Sequence, residues 1–379
     1  MKNINIIHFV ESNGRHLWLE KLMEVLDTKG FTQALLTVDG PGENHDYLAV
    51  KFPRMKINKQ PMGRIPSIRW ISQMREMRVN GSLNIVFALG HPASFISAVA
   101  SLFLEIKFVL CHTQQPRYFE VMNWQAPLRM KLHQIAYKFY IHRARSVISL
   151  SKEVAEVLIS HGIDNGKIIP INFGMDFEKI ERQLNELDST PGDVTGAPKI
   201  LMVGRIAPEK NYKVAIEAFA IFVKTYPNAT LSIAGDGPGK EEISGLAHSL
   251  HVGNSIRFLG YVRNIPRLMT NFDLLLHLAS TESYGQIYLE ALLSRLPIIC
   301  SRTGIAIDLL EIQEPNIHVV DPRSVQSITQ ELLNYFVQSP PPLHSEKNLF
   351  AHFYKHEDNF VYQELVLFFM ALRTNSEDV

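Results

Sequence analysis

The chain of 379 residues lacks most of the features that would assign it to a specialised class of protein. It has two cysteines, Cys111 and Cys300, which lie in apolar runs in opposite halves. This number and placement exclude a disulfide-stapled fold and a cysteine-based metal centre, so we predict two buried free thiols in a reducing compartment. Lys and Arg number 38, and so do Asp and Glu, so no overall charge directs the chain towards a polyanion.

Long apolar runs are also absent. The strongest candidate, residues 93–110, is interrupted by Glu105 and Lys107, which excludes a membrane-spanning helix there. A shorter apolar run from Ile4 to Val10 is followed at once by Glu11, and we interpret it as a first strand rather than a signal peptide. These absences lead us to expect a cytoplasmic protein.

The balanced total charge hides an asymmetry between the two halves. Residues 1–180 carry 22 Lys and Arg against 15 Asp and Glu, whereas the remainder carries 16 against 23. A basic half and an acidic half indicate different binding partners for each. The length also exceeds what one hydrophobic core usually supports, so two domains are expected.

Apolar runs of strand length alternate with helix-length segments along the whole chain, for example a strand at 199–203 before a helix from Tyr212. This alternation is typical of parallel sheets covered by helices on both faces. A polar stretch rich in Gly and Pro, residues 186–198, predicts a linker. We therefore predict two facing α/β domains, doubly wound and Rossmann-like, over residues 1–185 and 199–355. A final helix within 356–379 is predicted to pack back on the first domain.

Two glutamates eight positions apart follow an apolar run in the second half. The run from Phe272 to Leu278 predicts a buried strand, after which Glu282 lies in a loop and Glu290 in a helix. Open α/β sheets bind ligands at the carboxyl ends of their strands, so both carboxylates can face that crevice. Carboxylates accept hydrogen bonds from neighbouring hydroxyls, which favours a polyhydroxylated ligand.

A pair of cations follows the predicted strand at 199–203. Gly204 ends that strand, Arg205 comes next, and Lys210 lies five residues later at the start of a helix. Fixed cations beside a helix N-terminus form an anion site. They can stabilise a diphosphate leaving group without a metal, and the chain has no Asp-x-Asp triplet, so we expect no metal cofactor.

Glycines follow the next two predicted strands. Gly235 and Gly237 flank Asp236, and such glycines permit close backbone approach to a ligand, although a plain strand-to-helix turn has the same composition. Leu259 and Gly260 close a further strand that could present backbone groups to a base edge.

The order of these motifs resembles that of the retaining glycosyltransferases of family 4. The matching set is Gly204-Arg205-x4-Lys210-Asn211, Gly235-Asp236-Gly237-Pro238, Phe258-Leu259-Gly260 and Glu282-x7-Glu290-Ala291. The resemblance is strong over residues 199–310 and weaker over 1–180. It implies the GT-B fold, in which the active site lies between two Rossmann-like domains. It also implies transfer of a hexose-type sugar from a nucleotide diphosphate donor, with retention of anomeric configuration.

The resemblance also implies roles for the matching residues. Arg205 and Lys210 would bind the donor diphosphate, Glu282 would contact the sugar, Glu290 would hold the ribose hydroxyls, and His112 would lie near the reacting sugar. We therefore predict His112, Arg205, Lys210 and Glu282 as catalytic. The predicted donor site is Gly14, Gly204, Arg205, Lys210, Gly235, Gly237, Leu259, Glu282, Tyr284, Gly285, Gln286, Ile287 and Glu290. The predicted acceptor side is Arg15, His16, His91 and Asn172.

The chain departs from the family pattern in two loops, and other functions stay open. Only Gly14 stands in the loop after the first strand, where the family has several glycines, and Asp308 stands where the family has a glutamate. A sugar-nucleotide epimerase or hydrolase is one alternative, and a non-catalytic subunit of a glycosyltransferase complex is another. A uridine donor is favoured over guanosine by frequency alone, and bacterial surface polysaccharide or glycolipid assembly is the expected setting.

Two segments of the first half, residues 51–78 and 117–145, combine basic with apolar residues. Such segments can lie on anionic lipid, with charges at the headgroups and rings in the interface. We predict peripheral binding to the inner face of the plasma membrane and a glycan or lipid-linked acceptor. The alternative is that the aromatic rings belong to the core. Nucleic-acid binding is not expected, since no recognition motif accompanies the charge.

Overall fold

The computed structural model describes residues 3–10, 17–39, 43–58, 68–112, 127–172, 174–185, 196–337 and 358–374. These residues form two compact units. Unit 1 contains the described residues up to Gly174 together with the C-terminal helix. Unit 2 contains the described residues from Met175 to residue 337.

Unit 1 is built on a seven-stranded parallel sheet with the order β3-β2-β1-β4-β5-β6-β7. The strands are β1 Ile4–Val10, β2 Thr32–Thr37, β3 Lys56–Ile57, β4 Leu83–Leu89, β5 Lys107–His112, β6 Ser146–Ser149 and β7 Ile168–Pro170. Strands β1 and β4 are buried along nearly their whole length, as expected for a sheet covered on both faces. The strand order reverses between β1 and β4, which places a crevice at their carboxyl ends.

The helices of unit 1 connect these parallel strands. They are α1 Leu17–Thr28, α2 Glu43–Lys51, α3 Ile68–Met77, α4 His91–Ala100, α5 Pro127–Arg143, α6 Lys152–Ser160 and, at the C-terminus, α14 Asp358–Thr374. Ser151 caps α6, because its side chain accepts a hydrogen bond from the amide of Val154 at 3.3 Å. This confirms the N-cap that the sequence predicts at Ser151.

Unit 2 has a six-stranded parallel sheet with the order β10-β9-β8-β11-β12-β13. The strands are β8 Lys199–Val203, β9 Thr230–Ala234, β10 Ile256–Gly260, β11 Leu274–His277, β12 Ile298–Cys300 and β13 Ile317–Val319. The helices are α7 Phe177–Asn185, α8 Tyr212–Phe222, α9 Lys240–Ser249, α10 Ile265–Met269, α11 Gln286–Leu293, α12 Ala306–Glu311 and α13 Val325–Val337. The order reverses between β8 and β11.

These two sheets confirm the predicted fold class of paired Rossmann-like α/β domains. Cys111 and Cys300 are free and buried, as predicted, and burial raises the pKa of each thiol to about 12. The sequence places α7 in the first domain, whereas the structure divides the chain between Gly174 and Met175. The reason is that α7 packs on α10, where Asn264 donates a hydrogen bond to the carbonyl of Gln183 at 3.1 Å.

Three aromatic residues that the sequence assigns to a lipid interface belong instead to the core of unit 1. Trp70, Tyr137 and Tyr140 are each almost completely buried in one hydrophobic cluster. Their rings pack against other rings of the unit, because α3 packs on β2 and α4, and α5 packs on α4. These three rings therefore cannot contact lipid. Residues 59–67 and 113–126 lie outside the described residues, so the rest of both basic segments is described only in part.

Helix α14 packs in unit 1 through an apolar face. Phe369 is fully buried, and its ring meets the ring of Phe87 edge to face, with centroids 5.6 Å apart. Lys107 donates a hydrogen bond to the carbonyl of Leu372 at 3.1 Å, which satisfies an acceptor in the last turn of the helix. The C-terminal segment thus contributes to the core of unit 1.

We predict that Phe369→Ala lowers the free energy of unfolding by about 3–5 kcal/mol, because it removes a buried aromatic side chain and leaves a cavity. Leu367→Ala is the matched control, since Leu367 lies on the same helix and is 65% exposed. Its expected effect stays within about 0.5 kcal/mol. Urea unfolding of both variants checks this, and equal losses would contradict the packing of α14 described above.

Candidate functional site

The two loops that carry the predicted cations and the first predicted glutamate meet at one crevice in unit 2. Strands β8 and β11 are neighbours, and the strand order reverses between them. The loop after β8 carries Arg205 and Lys210, and the loop after β11 carries Glu282. Such a switch point is where open parallel sheets bind ligands, because the connections that follow the two neighbouring strands pass to opposite faces of the sheet.

Lys210 and Glu282 form an ion pair between these loops. The side chains are 19% and 18% exposed, so both charges are largely removed from water and stabilise each other. Arg205 lies on the same loop as Lys210 and is 56% exposed, and its guanidinium donates to Glu209 at 2.5 Å. Glu209 is itself buried, and its carboxylate holds the guanidinium of the more exposed Arg205 in place.

Main-chain and side-chain hydrogen bonds fasten the two loops together. The amide of Ser280 donates to the carbonyl of Glu209 at 2.7 Å. The side-chain amide of Asn211 donates to the carbonyl of Leu278 and to the hydroxyl of Ser280, both at 2.7 Å. Asn211 has a positive φ of 52°, a left-handed conformation that asparagine tolerates better than most residues. The position of Lys210 relative to Glu282 is therefore fixed by the fold.

A buried histidine lies beneath Glu282. His277 ends β11, is 4% exposed, and its Nε2 lies 3.0 Å from Oε1 of Glu282. Burial lowers the pKa of His277, so the imidazole is neutral, and Nε2 must carry the proton because a carboxylate only accepts. Burial raises the pKa of Glu282, but the His277 hydrogen bond and the Lys210 charge outweigh it and lower that pKa to about 2. Glu282 is thus ionised at neutral pH.

The second predicted glutamate, Glu290, lies on α11. Burial raises the pKa of Glu290, and the charge of Lys179 opposes that shift. Gly285 precedes the helix with a positive φ of 85° and carries no side chain that could cap it. A Cβ at Gly285 would lie 2.6 Å from the ring of Tyr288, so glycine is required there.

The other predicted donor residues of the β11–α11 region differ in exposure. Tyr284 is buried, and its carbonyl accepts a hydrogen bond from the amide of Ile305 at 2.8 Å. Gln286 is exposed, and Ile287 is partly buried. Leu259, on β10, is 38% exposed.

The glycines after β9 lie in close backbone contact with the loop after β8. A Cβ on Gly235 would lie 2.0 Å from the carbonyl oxygen of Gly204, and one on Gly237 would lie 2.4 Å from that of Ile206. Two hydrogen bonds, from Gly204 to Ala234 and from Ile206 to the carbonyl of Asp236, hold these backbones together. The space that the missing side chains leave is filled by the loop that carries Arg205 and Lys210.

The described site residues predicted in unit 1 lie on or after separate elements of that unit. Gly14, Arg15 and His16 lie outside the described residues. His112 is the last residue of β5. His91 begins α4, where it packs against the rings of Tyr137 and Tyr140 and is hydrogen-bonded to the Tyr140 hydroxyl. Burial, and next the charge of His133, lower the pKa of His91 to about 4, so it is a neutral residue within a packed aromatic cluster.

Asn172 lines a mostly apolar pocket of unit 1. Cys111, Ile148 and Leu150 lie on its sheet side, and Val361 and Tyr362 line it from α14. The pocket lies at the carboxyl ends of β5 and β6, which is the edge where ligands of such sheets bind. Asn172 supplies a polar side chain there.

Three residues of the site were not assigned roles from the sequence. Glu209 and Asn211 lie inside a recognised motif, but their contacts are with the loop after β11. The spacing of residues within the motif does not reveal contacts with another loop. His277 stands in the run Leu274-Leu275-Leu276-His277-Leu278, and a polar residue in a buried strand needs a partner. That signal was available and was missed.

The described residues contain neither a cluster suited to a metal ion nor a helix suited to span a membrane. In the part of the chain that the structure describes, no three His, Cys, Asp or Glu side chains converge on a point where a metal ion could bind. Among the same residues, no helix combines the length and the apolar character needed to cross a bilayer.

Comparison with known proteins gives matches for both the second half and the whole fold. Residues 185–348 match the family model described as glycosyl transferases group 1. Alpha-monoglucosyldiacylglycerol synthase of Streptococcus pneumoniae is 28% identical over 207 residues, which is 52% of this chain and 46% of that protein. The enzyme of the same name from Acholeplasma laidlawii is 40% identical over 101 residues, or 26% of this chain and 25% of that protein. The aligned segments thus span about half and a quarter of these relatives.

Solved structures resemble the chain over almost its full length. Anabaena HepE in complex with UDP has a TM-score of 0.74 and 18% identity, and the match covers 98% of this chain and 100% of that one. Sucrose-phosphate synthase from Thermosynechococcus elongatus has a TM-score of 0.76 and 16% identity, with 99% and 100% covered. At this identity the likeness concerns the fold alone, and that fold is GT-B.

We predict that Gly235→Ala destabilises the protein by at least about 2 kcal/mol, because its Cβ would overlap the Gly204 carbonyl at a φ of 147°. Gly245→Ala is the matched control. It lies inside α9 with nothing within 4 Å of a new Cβ, and it should stabilise by about 0.5–1 kcal/mol. Urea unfolding measures both, and a neutral Gly235→Ala would contradict the close loop contact.

Proposed function

We propose that this chain is a glycosyltransferase that moves a sugar from a nucleotide diphosphate donor to a glycan or lipid-linked acceptor. The observation that carries the proposal is the pairing of Lys210 with Glu282 at the switch point of unit 2, beside Arg205. Cations suit a diphosphate and a carboxylate suits sugar hydroxyls, so the site carries complementary groups for both parts of a nucleotide sugar. The match of residues 185–348 to glycosyl transferases group 1 supports the same conclusion.

In this proposal the donor takes the place of the protein's own ion pair. The diphosphate binds Lys210 and Arg205, and the sugar binds Glu282. Glu290 on α11 holds the ribose hydroxyls, and the first turn of α11 faces the phosphates. A uridine donor is favoured, since solved structures of similar fold contain UDP and UDP-glucose.

The proposed reaction proceeds with retention of anomeric configuration. The bond between the sugar C1 and the diphosphate oxygen breaks through an oxocarbenium-like transition state. The acceptor oxygen bonds to C1 on the same face, and its proton passes to the departing phosphate oxygen. Arg205 and Lys210 stabilise the charge that develops on that phosphate, which is the task of a metal in other transferases, so no metal is required.

We predict that Arg205→Ala, Lys210→Ala and Glu282→Gln each lower sugar transfer by about 10²–10³-fold, because each removes a group that acts on developing charge or on the sugar. Lys213→Ala is the control. Lys213 is an exposed cation on α8 whose partner, Glu242, is also exposed, so activity should be unchanged. Transfer from UDP-glucose, UDP-galactose and UDP-N-acetylglucosamine is measured in EDTA, and proton NMR of the product reports the anomer.

Several outcomes of this assay would contradict the proposal. Loss of activity in EDTA with recovery in Mg²⁺ would contradict metal independence, and an inverted anomer would contradict retention. Nucleotide binding raises the melting temperature of a folded protein by mass action. An absence of any shift with UDP, GDP, ADP or their sugars would instead favour the non-catalytic subunit. Donor turnover without transfer would favour the epimerase or hydrolase.

We further propose that α5 places unit 1 on an anionic membrane surface, where a lipid-linked acceptor would be presented. Leu132, Ile135 and Phe139 recur at helical spacing and are 59%, 65% and 36% exposed. Lys131 and Lys138 flank them and are exposed, and the helix sequence contains no Asp or Glu. Exposed apolar side chains on a helix that carries cations and no acidic residue suit the boundary between lipid headgroups and acyl chains. These five residues form the α5 outer face.

We predict that the double variant Leu132→Ser and Ile135→Ser weakens binding to vesicles of phosphatidylglycerol and phosphatidylcholine by at least about tenfold, since each side chain contributes roughly 1.5–3 kcal/mol when buried in lipid. Ile159→Ser is the control, because Ile159 is also an exposed aliphatic residue, at 47%, and lies on α6 of the same unit. Vesicle flotation at low salt measures binding. Failure of the unmodified protein to float would contradict the membrane proposal and leave the transferase proposal intact.

A further inference from the structure

His277 is an unusual residue for its position in the fold. It ends the central strand β11, where the neighbouring residues Leu274, Leu276 and Leu278 belong to the hydrophobic core of unit 2. A buried polar group is costly unless it is hydrogen-bonded. The imidazole meets this requirement through Oε1 of Glu282, the carboxylate that the proposed function assigns to the donor sugar.

The ring of Tyr288 fixes the orientation of the His277 ring. Tyr288 of α11 meets it edge to face, with centroids 5.1 Å apart and an interplanar angle of 84°. The Tyr288 hydroxyl is hydrogen-bonded to Thr303 at 3.3 Å. The ring of Tyr288 lies in the space that a Cβ on Gly285 would need, so only glycine permits this packing. The imidazole is therefore held in one position by the fully buried ring of Tyr288.

Lys210 and His277 both contact the same oxygen of Glu282, Oε1, but the proposed function requires different things of the two residues. Lys210 is half-buried at the crevice, and the proposed function requires it to leave Glu282 for the donor phosphate. His277 is deeper and has no such second task. When Lys210 binds a phosphate, the imidazole of His277 still donates its hydrogen bond to Glu282 and keeps that carboxylate in place.

We infer that His277 is a positioning residue for the donor sugar: its Nε2–H holds the Glu282 carboxylate in the sugar-binding orientation while Lys210 transfers its contact to the diphosphate. The inference rests on the proposed function. It concerns recognition of the sugar rather than of the nucleotide, since the diphosphate binds the cations and not Glu282.

The test compares binding of UDP-glucose with binding of UDP by isothermal titration calorimetry. In His277→Leu, which keeps the packing volume and removes the donor, we expect UDP-glucose to bind at least about tenfold more weakly, as for loss of a hydrogen bond to a charged group. Binding of UDP should change less than about threefold. His277→Gln places an amide N–H near the position of Nε2, so it should restore the preference for UDP-glucose.

The matched control removes a different His–Glu hydrogen bond of unit 2, to show whether losing any such bond affects nucleotide binding. His318 on β13 lies 2.9 Å from Oε1 of Glu331 in the same unit, away from the crevice. His318→Leu should leave the binding of both nucleotides unchanged. Unchanged UDP-glucose binding in His277→Leu would overturn the inference. So would a His277→Gln variant that melts like the unmodified protein but binds as weakly as His277→Leu.

A second measurement requires no nucleotide and so separates this inference from the proposed function. Nitrogen-15 NMR of the labelled histidines should show His277 as the neutral Nε2–H tautomer. Glu282→Gln should shift its Nε2 resonance, whereas Glu331→Gln should not. A His277 resonance that is unaffected by Glu282→Gln would overturn the inference even if the chain transfers sugar. Failure of the unmodified protein to bind either nucleotide would count against the proposed function alone.

Discussion

The ion pair between Lys210 and Glu282 is the interaction on which the rest of the site depends. The two residues are 72 positions apart in sequence, and the pair exists because β8 and β11 are neighbours at the point where the strand order reverses. Neither charge is well solvated, so each stabilises the other in the absence of a ligand. A nucleotide sugar, the proposed donor, carries one group for each of them and would therefore replace the internal pair.

The surrounding residues keep this pair in place without taking part in it. Asn211 and Glu209 bind the β11 loop through Leu278 and Ser280, and the glycines at 235 and 237 let the β8 and β9 loops touch backbone to backbone. These contacts restrict the movement of both charged side chains. A site whose groups are already oriented loses less freedom when its ligand binds, which favours affinity and correct geometry for the reaction.

The two units present different chemistry. Unit 2 has a polar crevice with fixed charges, whereas the pocket of unit 1 at the ends of β5 and β6 is lined mostly by apolar residues together with the polar Asn172. The outer face of α5 adds exposed apolar and cationic side chains to unit 1. This division agrees with the basic first half and acidic second half of the sequence, and it is consistent with the proposed binding of the donor by unit 2 and of the acceptor by unit 1.

The fold class could be predicted from the sequence, because buried parallel strands leave continuous apolar runs, and β8 over Lys199–Val203 could be predicted to the residue. The sequence also indicated Arg205, Lys210, Glu282 and Glu290, since ordered motifs place particular residues directly after particular strands. The folded chain was needed to show that Gly235 and Gly237 contact a protein loop, that Trp70 and Tyr137 belong to the core, and that His277 is hydrogen-bonded to Glu282. Each of these depends on which strand lies beside which, and spacing along one chain carries no information about contacts across a sheet.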